Sequence, residues 1–260
     1  MTTFVEKKLV EKFKNKKLFS RNELYDFYTQ FEPNLNKNTF AWRIFNLKRK
    51  NIIKPVKRGY YTLSNKPVFQ PEISKRLYNL AKSFSRDLAQ INYCIWESKW
   101  LNEFSRHQSN KNFIIIEMEA ENSWLEILYF KMKKKEKNRG VNTFLNPDQK
   151  IFDYYISQTH NPVVIKKLIS RSPCTKTSVK KTKVTTPKLE KILVDIYADK
   201  ELFYLYQGSE LVHIYQNALE NYTINFTTLF NYAKRRGKHQ EIKDFIKNNL
   251  TFSSIEKFIE

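Results

Sequence analysis

The chain has 260 residues, and its 47 Lys and Arg outnumber 26 Asp and Glu to leave a formal net charge of +21. That excess favours a polyanionic partner, nucleic acid or an anionic membrane surface, and argues against a binder of basic targets. An apolar fraction of 41% with 20 Phe, 15 Tyr and 4 Trp excludes a disordered basic tail, so the charge decorates a folded body long enough for one large domain or two unequal ones.

Two cysteines, Cys94 and Cys174, and histidines at 107, 160, 213 and 239 show no metal-ligand spacing, so neither a zinc finger nor a disulfide scaffold is expected. Four glycines leave no phosphate-cradling loop. The charged N-terminus lacks a secretory core, and no run approaches the roughly 18 apolar residues of a membrane span. The expected setting is the reducing cytoplasm, with no membrane partner and no cofactor.

Charge is concentrated at the start. Residues 1–66 hold 16 Lys or Arg and five acidic residues, net +11, and the remaining 194 residues hold net +10. Leu9 and Phe13 share a face of a first helix over roughly Phe4 to Lys14. Ser20 and Glu23 have the spacing of a capping box opening a second helix, with Leu24, Phe27 and Tyr28 as its stripe. Asn38 is a good N-cap for a third helix over Thr39 to Lys50. Then Ile52 to Val56, a turn at Lys57-Arg58-Gly59, and Tyr60 to Leu63 read as a two-stranded hairpin.

Ser64 to Glu72, with two prolines, reads as a linker, which gives domains of 1–66 and 67–260. Beyond it, strands over Ile91 to Trp96 and Phe113 to Met118 alternate with helical patterns at Leu77 to Leu88 and Trp124 to Met132. The basic stretches Lys131 to Arg139 and Lys166 to Lys188 read as solvated loops. Past Pro187, with a possible sub-boundary near 185, the pattern is helical: Leu189 to Ala198, Ser209 to Leu219, Phe226 to Lys234 after Asn225, and Ile242 to Leu250. The expected class is α+β: an N-terminal winged helix-turn-helix, then a mixed α/β domain ending in a helical bundle.

In that arrangement the third helix enters the major groove and the hairpin lies on adjacent backbone or minor groove. With Phe40, Ile44 and Leu47 turned inward, the wheel leaves Trp42, Asn46 and Arg49 opposite them, with Thr39, Arg43 and Lys50 beside. Arg43 pairs with guanine and Asn46 with adenine in such a reading. Asn38 and Thr39 lie at the helix start, and Lys57 and Arg58 are phosphate contacts on the hairpin. At the C-terminal end, Lys234, Arg235, Arg236 and Lys238 flank Gly237 as a basic surface, or as cations capping a helix end.

The segment NTFAWRIFNLKRKNIIKPVKRGYYTL, followed by INYCIWESKWLNEFSRHQ, NFIIIEMEAENSWLEILYF and TTPKLEKILVDIYADKELF, resembles the winged-helix antitoxins of the AbiE abortive-infection type. The closing NFTTLFNYAKRRGKHQEIKDFI extends the similarity over nearly the whole chain. The Lys131 to Arg139 insert departs from it. The resemblance implies a bacterial autorepressor that binds operator DNA and a C-terminal part that counters a nucleotidyltransferase-like toxin without a stable complex. It leaves the oligomeric state open.

A rival reading is a Mg²⁺-dependent nuclease delivered by the same DNA reader. Glu97-Ser98-Lys99 has the E-x-K form after a strand, Glu117 and Glu119 end the next, and Asp87 is an upstream acid. A third reading is a DNA-binding adaptor with a protein-binding C-terminal domain. The sequence favours no catalysis and no metal.

Overall fold

The computed structural model describes residues 4–16, 18–63, 66–84, 91–136, 142–160, 162–179 and 182–250. It is mixed α+β with a helical C-terminal region. The chain forms two compact units, one built on the residues up to Val68 together with Asn221–Thr228, the other on Phe69–Glu220 and Leu229–Leu250.

The first unit begins with α1 (Phe4–Phe13), which buries Leu9 and Phe13 as the spacing predicts. The short β1 (Phe19–Ser20) runs directly into α2 (Arg21–Thr29). The capping box is present: the Glu23 amide donates to Ser20 Oγ at 3.1 Å and the Ser20 amide to Glu23 Oε2 at 2.6 Å. Two of the four N–H groups left over at a helix start are thereby satisfied. The third helix, α3 (Lys37–Arg49), starts earlier than expected because Asn36, not Asn38, is its N-cap, accepting from the Asn38 amide at 2.8 Å. Leu35, buried immediately before the cap, fixes that choice.

The expected hairpin forms as β2 (Lys54–Lys57) and β3 (Tyr60–Thr62), and β1 adds to it in the antiparallel order β1-β3-β2. Gly59 sits at φ +78° in the turn, a left-handed conformation that suits glycine. Phe13 and Phe19, with ring centroids 4.4 Å apart, lie in one core with Leu24, Phe27, Phe40, Ile44 and Leu47. A strap from far along the chain completes the unit. Thr223 donates from its amide to Pro67 O at 2.9 Å and from its hydroxyl to Lys66 O at 2.8 Å, and the Arg58 amide donates to Thr227 Oγ1 at 2.8 Å.

The second unit is a four-stranded sheet in the order β4-β5-β7-β6: β4 (Tyr93–Glu97), β5 (Ile114–Met118), β6 (Thr143–Leu145) and β7 (Val163–Lys167). β4 and β5 are antiparallel, while β7 runs parallel to both β5 and β6. Before and between the strands come α4 (Lys75–Phe84), α5 (Asn122–Glu136) and α6 (Gln149–Tyr154). The Lys166 to Lys188 stretch is not a loop: it carries the end of β7 and a separate hairpin, β8 (Cys174–Val179) with β9 (Thr182–Pro187). Polar Thr and Lys side chains on β8 are exposed, so the backbone pairs without a hydrophobic alternation to announce it. In the other basic stretch, residues 131–136 extend α5, and Lys137 and Arg139 lie outside the described residues.

The C-terminal region is helical as expected: α7 (Leu189–Ala198), α8 (Ser209–Asn221), α9 (Phe226–Arg235) and α10 (His239–Asn249). Every residue of α7 from Leu189 to Ile196 is buried, so this helix lies in the interior. Among the described residues no helix is long and apolar enough to cross a membrane.

Candidate nucleic-acid interface

The face of α3 left to solvent differs from the one the wheel assigns. Phe40, Ile44 and Leu47 are buried as expected, but Asn46 is only 9% exposed. On the flank of Arg43, Asn46 and Lys50 lie Val5 and Glu6 of α1, and Lys50 Nζ meets Glu6 Oε1 at 2.7 Å. The Arg43 guanidinium is paired with Glu32 and stacked 4.9 Å from the Tyr28 ring centre. Burial pushes the Tyr28 hydroxyl up to about 12, an effect that nearby Arg43 partly offsets. Arg43 and Asn46 therefore do not point outward as base readers. An inward stripe defines only one direction on a helix; which flank a second helix covers depends on tertiary packing.

What remains exposed is Lys37, Asn38, Thr39, Ala41, Trp42, Phe45, Lys48 and Arg49. Trp42 and Phe45 are 64% and 55% exposed, large aromatic surfaces that a solitary domain has no packing reason to hold in water. Lys37, Lys48 and Arg49 make no ion pair among the described residues. Sequence reasoning missed Phe45 and Lys48, and the covered Asn46 flank was the missing information.

On the hairpin, Arg58 is exposed at the tip and Lys57 is half-buried with its ammonium 4.8 Å from the Tyr60 ring centre. Lys57 and Arg58 thus flank the glycine turn on the same strand end, while the Arg58 backbone is held by Thr227. Positive charge here is fixed to a tethered backbone rather than to a free loop.

In the second unit the nuclease set does not assemble. Glu97 pairs with Ile114 and Glu117 with Cys94, so the two carboxylates stand three ladder positions apart on opposite faces of the sheet. Glu97 accepts from Ser74 Oγ, and Lys99 is exposed beyond the strand. Asp87 lies outside the described residues. No group of three or more His, Cys, Asp or Glu among the described residues is arranged to hold a metal.

Glu117 instead joins a buried ionic network that no local pattern signals. Lys191 on α7, with no exposed side-chain surface, donates to Glu117 Oε2 at 2.5 Å and to Asp195. Trp96 Nε1 donates to Glu117 at 3.2 Å, Tyr232 OH donates to Asp195 at 2.8 Å, and Arg236 approaches Asp195 at 3.4 Å. Burial alone lowers the Lys191 pKa, but Asp195 and Glu117 outweigh it and hold the ammonium charged well above its ordinary range. Nearby, Lys166 pairs with Asp199, and burial pulls its ammonium down to about 8.

The four C-terminal cations are not one free patch. Lys234 is exposed and Arg235 donates to Arg171 O at 2.8 Å. Arg236 turns inward to Asp195, and Lys238 pairs with Glu241 at 2.8 Å. His107, far from any carboxylate in sequence, meets Glu210 at 3.1 Å. The Arg106 and His107 amides add to that pull, so against its burial Glu210 is held below the usual carboxylate range.

Residues 39–252 match a family of unknown function, DUF6577. The chain belongs to this family. The match opens two residues into α3 and runs through the hairpin and the whole second unit, so the family's shared portion includes the exposed α3 face from Thr39 onward but not Lys37 and Asn38, together with β2, β3 and the Lys191 network. No curated protein matches the chain.

Proposed function

We propose that this protein is a cytoplasmic transcriptional regulator that binds double-stranded DNA through a winged-helix N-terminal unit. The observation that carries the reading is the α3 face itself: Asn38, Trp42, Phe45 and Arg49 exposed together, with unpaired Lys37 and Lys48 beside them. The order of elements supports it, since three helices followed by an antiparallel hairpin is the arrangement in which a third helix enters the major groove. The chemistry fits each role. Asn38 presents a bidentate edge suited to adenine, Phe45 and Ala41 suit a thymine methyl, and Arg49 suits guanine or phosphate. Lys57 and Arg58 supply backbone contacts that fix register without reading sequence.

The target that this reading favours is operator DNA upstream of the protein's own gene, with the protein repressing its own operon. The second unit would then supply the action against a nucleotidyltransferase-like toxin that the resemblance implies, without a stable complex. Its interior ion pairs among Lys191, Glu117 and Asp195 build a structural core, and no catalytic step is assigned to it.

The test is fluorescence anisotropy of the full chain on its own upstream DNA and on a shuffled duplex, between about 50 and 200 mM salt. Preferential, salt-sensitive binding to the upstream DNA is expected, with the duplex intact afterwards in Mg²⁺. Equal binding to both duplexes removes the regulator reading. Co-expression with the operon's toxin tests the second unit: growth rescued by an α3 variant that no longer binds DNA separates the two roles.

A further inference from the structure

A cleft of about 430 Å³ opens on the first unit between α1 and the Asn46 flank of α3. That size lies within the range of sites for small molecules. Val5 and Leu47 line it as apolar surface, Tyr28 and Trp42 as aromatic rings, and Asn46 and Arg49 as polar groups. Asn46 is the unusual member. Its residue is 91% removed from solvent, and its side-chain amide makes no hydrogen bond among the described residues while its polar atoms stay open to the cleft. An amide with no protein partner that faces a cleft offers its donor and acceptor edges to whatever enters it.

The charges at the rim narrow the class of ligand. Lys50 is neutralised by Glu6 and Arg43 by Glu32, which leaves Arg49 as the cation of the lining without an ion pair among the described residues. The cleft therefore offers a ring on which a planar group stacks, an amide with one donor and one acceptor edge, and a single uncommitted cation. Nucleobases present matching donor and acceptor edges and stack on aromatic side chains. One phosphate matches one guanidinium.

We propose that this cleft binds a nucleoside monophosphate, with the base stacked on Trp42 and read by Asn46, and the phosphate held by Arg49. Trp42 and Arg49 belong both to the cleft and to the exposed α3 face. A ligand engaging them competes with DNA for the same side chains, so it lowers DNA affinity and DNA lowers ligand affinity by the same factor. This regulatory consequence rests on the DNA-binding reading; the binding site does not.

Isothermal titration calorimetry of the full chain, without DNA, with AMP, GMP, adenosine, inorganic phosphate and a short single-stranded oligonucleotide tests the site. Saturable binding of AMP or GMP, with adenosine and phosphate each at least tenfold weaker, is expected. Asn46→Leu keeps the volume and removes the amide: ligand binding falls at least tenfold, while the melting temperature holds because the amide makes no bond to the protein among the described residues. A fall in melting temperature, or unchanged ligand binding in this variant, overturns the site. Phosphate binding as well as AMP, or the oligonucleotide binding alone, overturns the mononucleotide assignment. Anisotropy on upstream DNA with saturating nucleotide is the second arm. Unchanged DNA affinity overturns the competition, whereas DNA binding absent altogether beside intact nucleotide binding leaves the cleft standing and removes the DNA reading.

Discussion

The two units use the same charged residue types in opposite ways. In the first, α3 and the hairpin hold Lys37, Lys48, Arg49 and Arg58 outward without acidic partners among the described residues, and the carboxylates that do form ion pairs take other cations: Glu6 takes Lys50, Glu23 takes Lys16 and Glu32 takes Arg43. In the second, Lys191, Glu117 and Asp195 are buried and pair with one another. An outward cation raises local anion concentration at little cost in stability. A buried one is a liability unless every partner stays in place. Surface charge therefore points to a ligand, and interior charge to a rigid body that must not be disturbed.

The sharpest way to break that contrast is to remove one side of the buried network. Lys191→Met leaves Glu117 as an interior carboxylate without a paired cation and Asp195 with only Arg236 at 3.4 Å, and a loss of about 3–5 kcal/mol is expected in urea unfolding. Replacing Lys191, Glu117, Asp195 and Arg236 together by apolar residues of similar volume restores part of it, because no orphan charge remains and only the Trp96 and Tyr232 donors lose a partner. If Lys191→Met costs no more than an exposed substitution, the network carries no structural weight.

Lys166 tests the same interior through pH. Its folded pKa, about 8, lies below the ordinary value of 10.5, so between these values the unfolded chain binds more protons and stability rises with pH. Below pH 8 both states are protonated and the full penalty of the buried ammonium is present. The gain toward pH 10.5 is at most about 3 kcal/mol, and it should be missing from the Lys166→Met variant. Parallel stability curves for the two proteins would show that Lys166 is not held down by burial.

These contrasts also mark what the sequence made legible. The Ser20–Glu23 box, the three first-unit helices and the α7 and α9 segments rest on contacts within a few residues, and the pattern exposes them. The covering of Asn46 rests on α1 lying along one flank of α3, that of Arg43 on Tyr28 and Glu32, and Lys191 lies 74 positions from Glu117. No window of sequence contains such pairs. β8 and β9 were hidden for another reason: a hairpin with a polar Thr- and Lys-rich face satisfies its backbone without an apolar signature. The strap at Thr223 and Thr227 is likewise a matter of backbone and hydroxyl hydrogen bonds that any polar segment could offer.

On the outward side, the corrected α3 face makes a prediction that separates it from the wheel. Arg49→Ala should cost about 1–3 kcal/mol of discrimination between upstream and shuffled DNA while leaving unfolding unchanged. Arg43→Ala should do the reverse, destabilising the fold through loss of Glu32 and Tyr28 while discrimination survives. The double variant Lys57→Ala/Arg58→Ala should weaken both duplexes alike and flatten the salt dependence by up to about two phosphate contacts. Discrimination lost with Arg43 and kept without Arg49 would return the reading to the original wheel.

The smallest expected effect asks whether the first unit's framework can be loosened without touching its charge. Ser20 ends β1 and caps α2 at once, so Ser20→Ala leaves the Glu23 amide unpaired and costs about 1 kcal/mol. Native-state hydrogen exchange of the full chain resolves where that cost falls. The α2 amides should exchange about fivefold faster, and those of α7 in the second unit should be unchanged. Faster exchange confined to α2 would mean that the outward charges of α3 sit on a scaffold whose stability is set locally. Equal acceleration in α7 would mean that both units open as one, and the contrast drawn from their charges would then describe a single cooperative body.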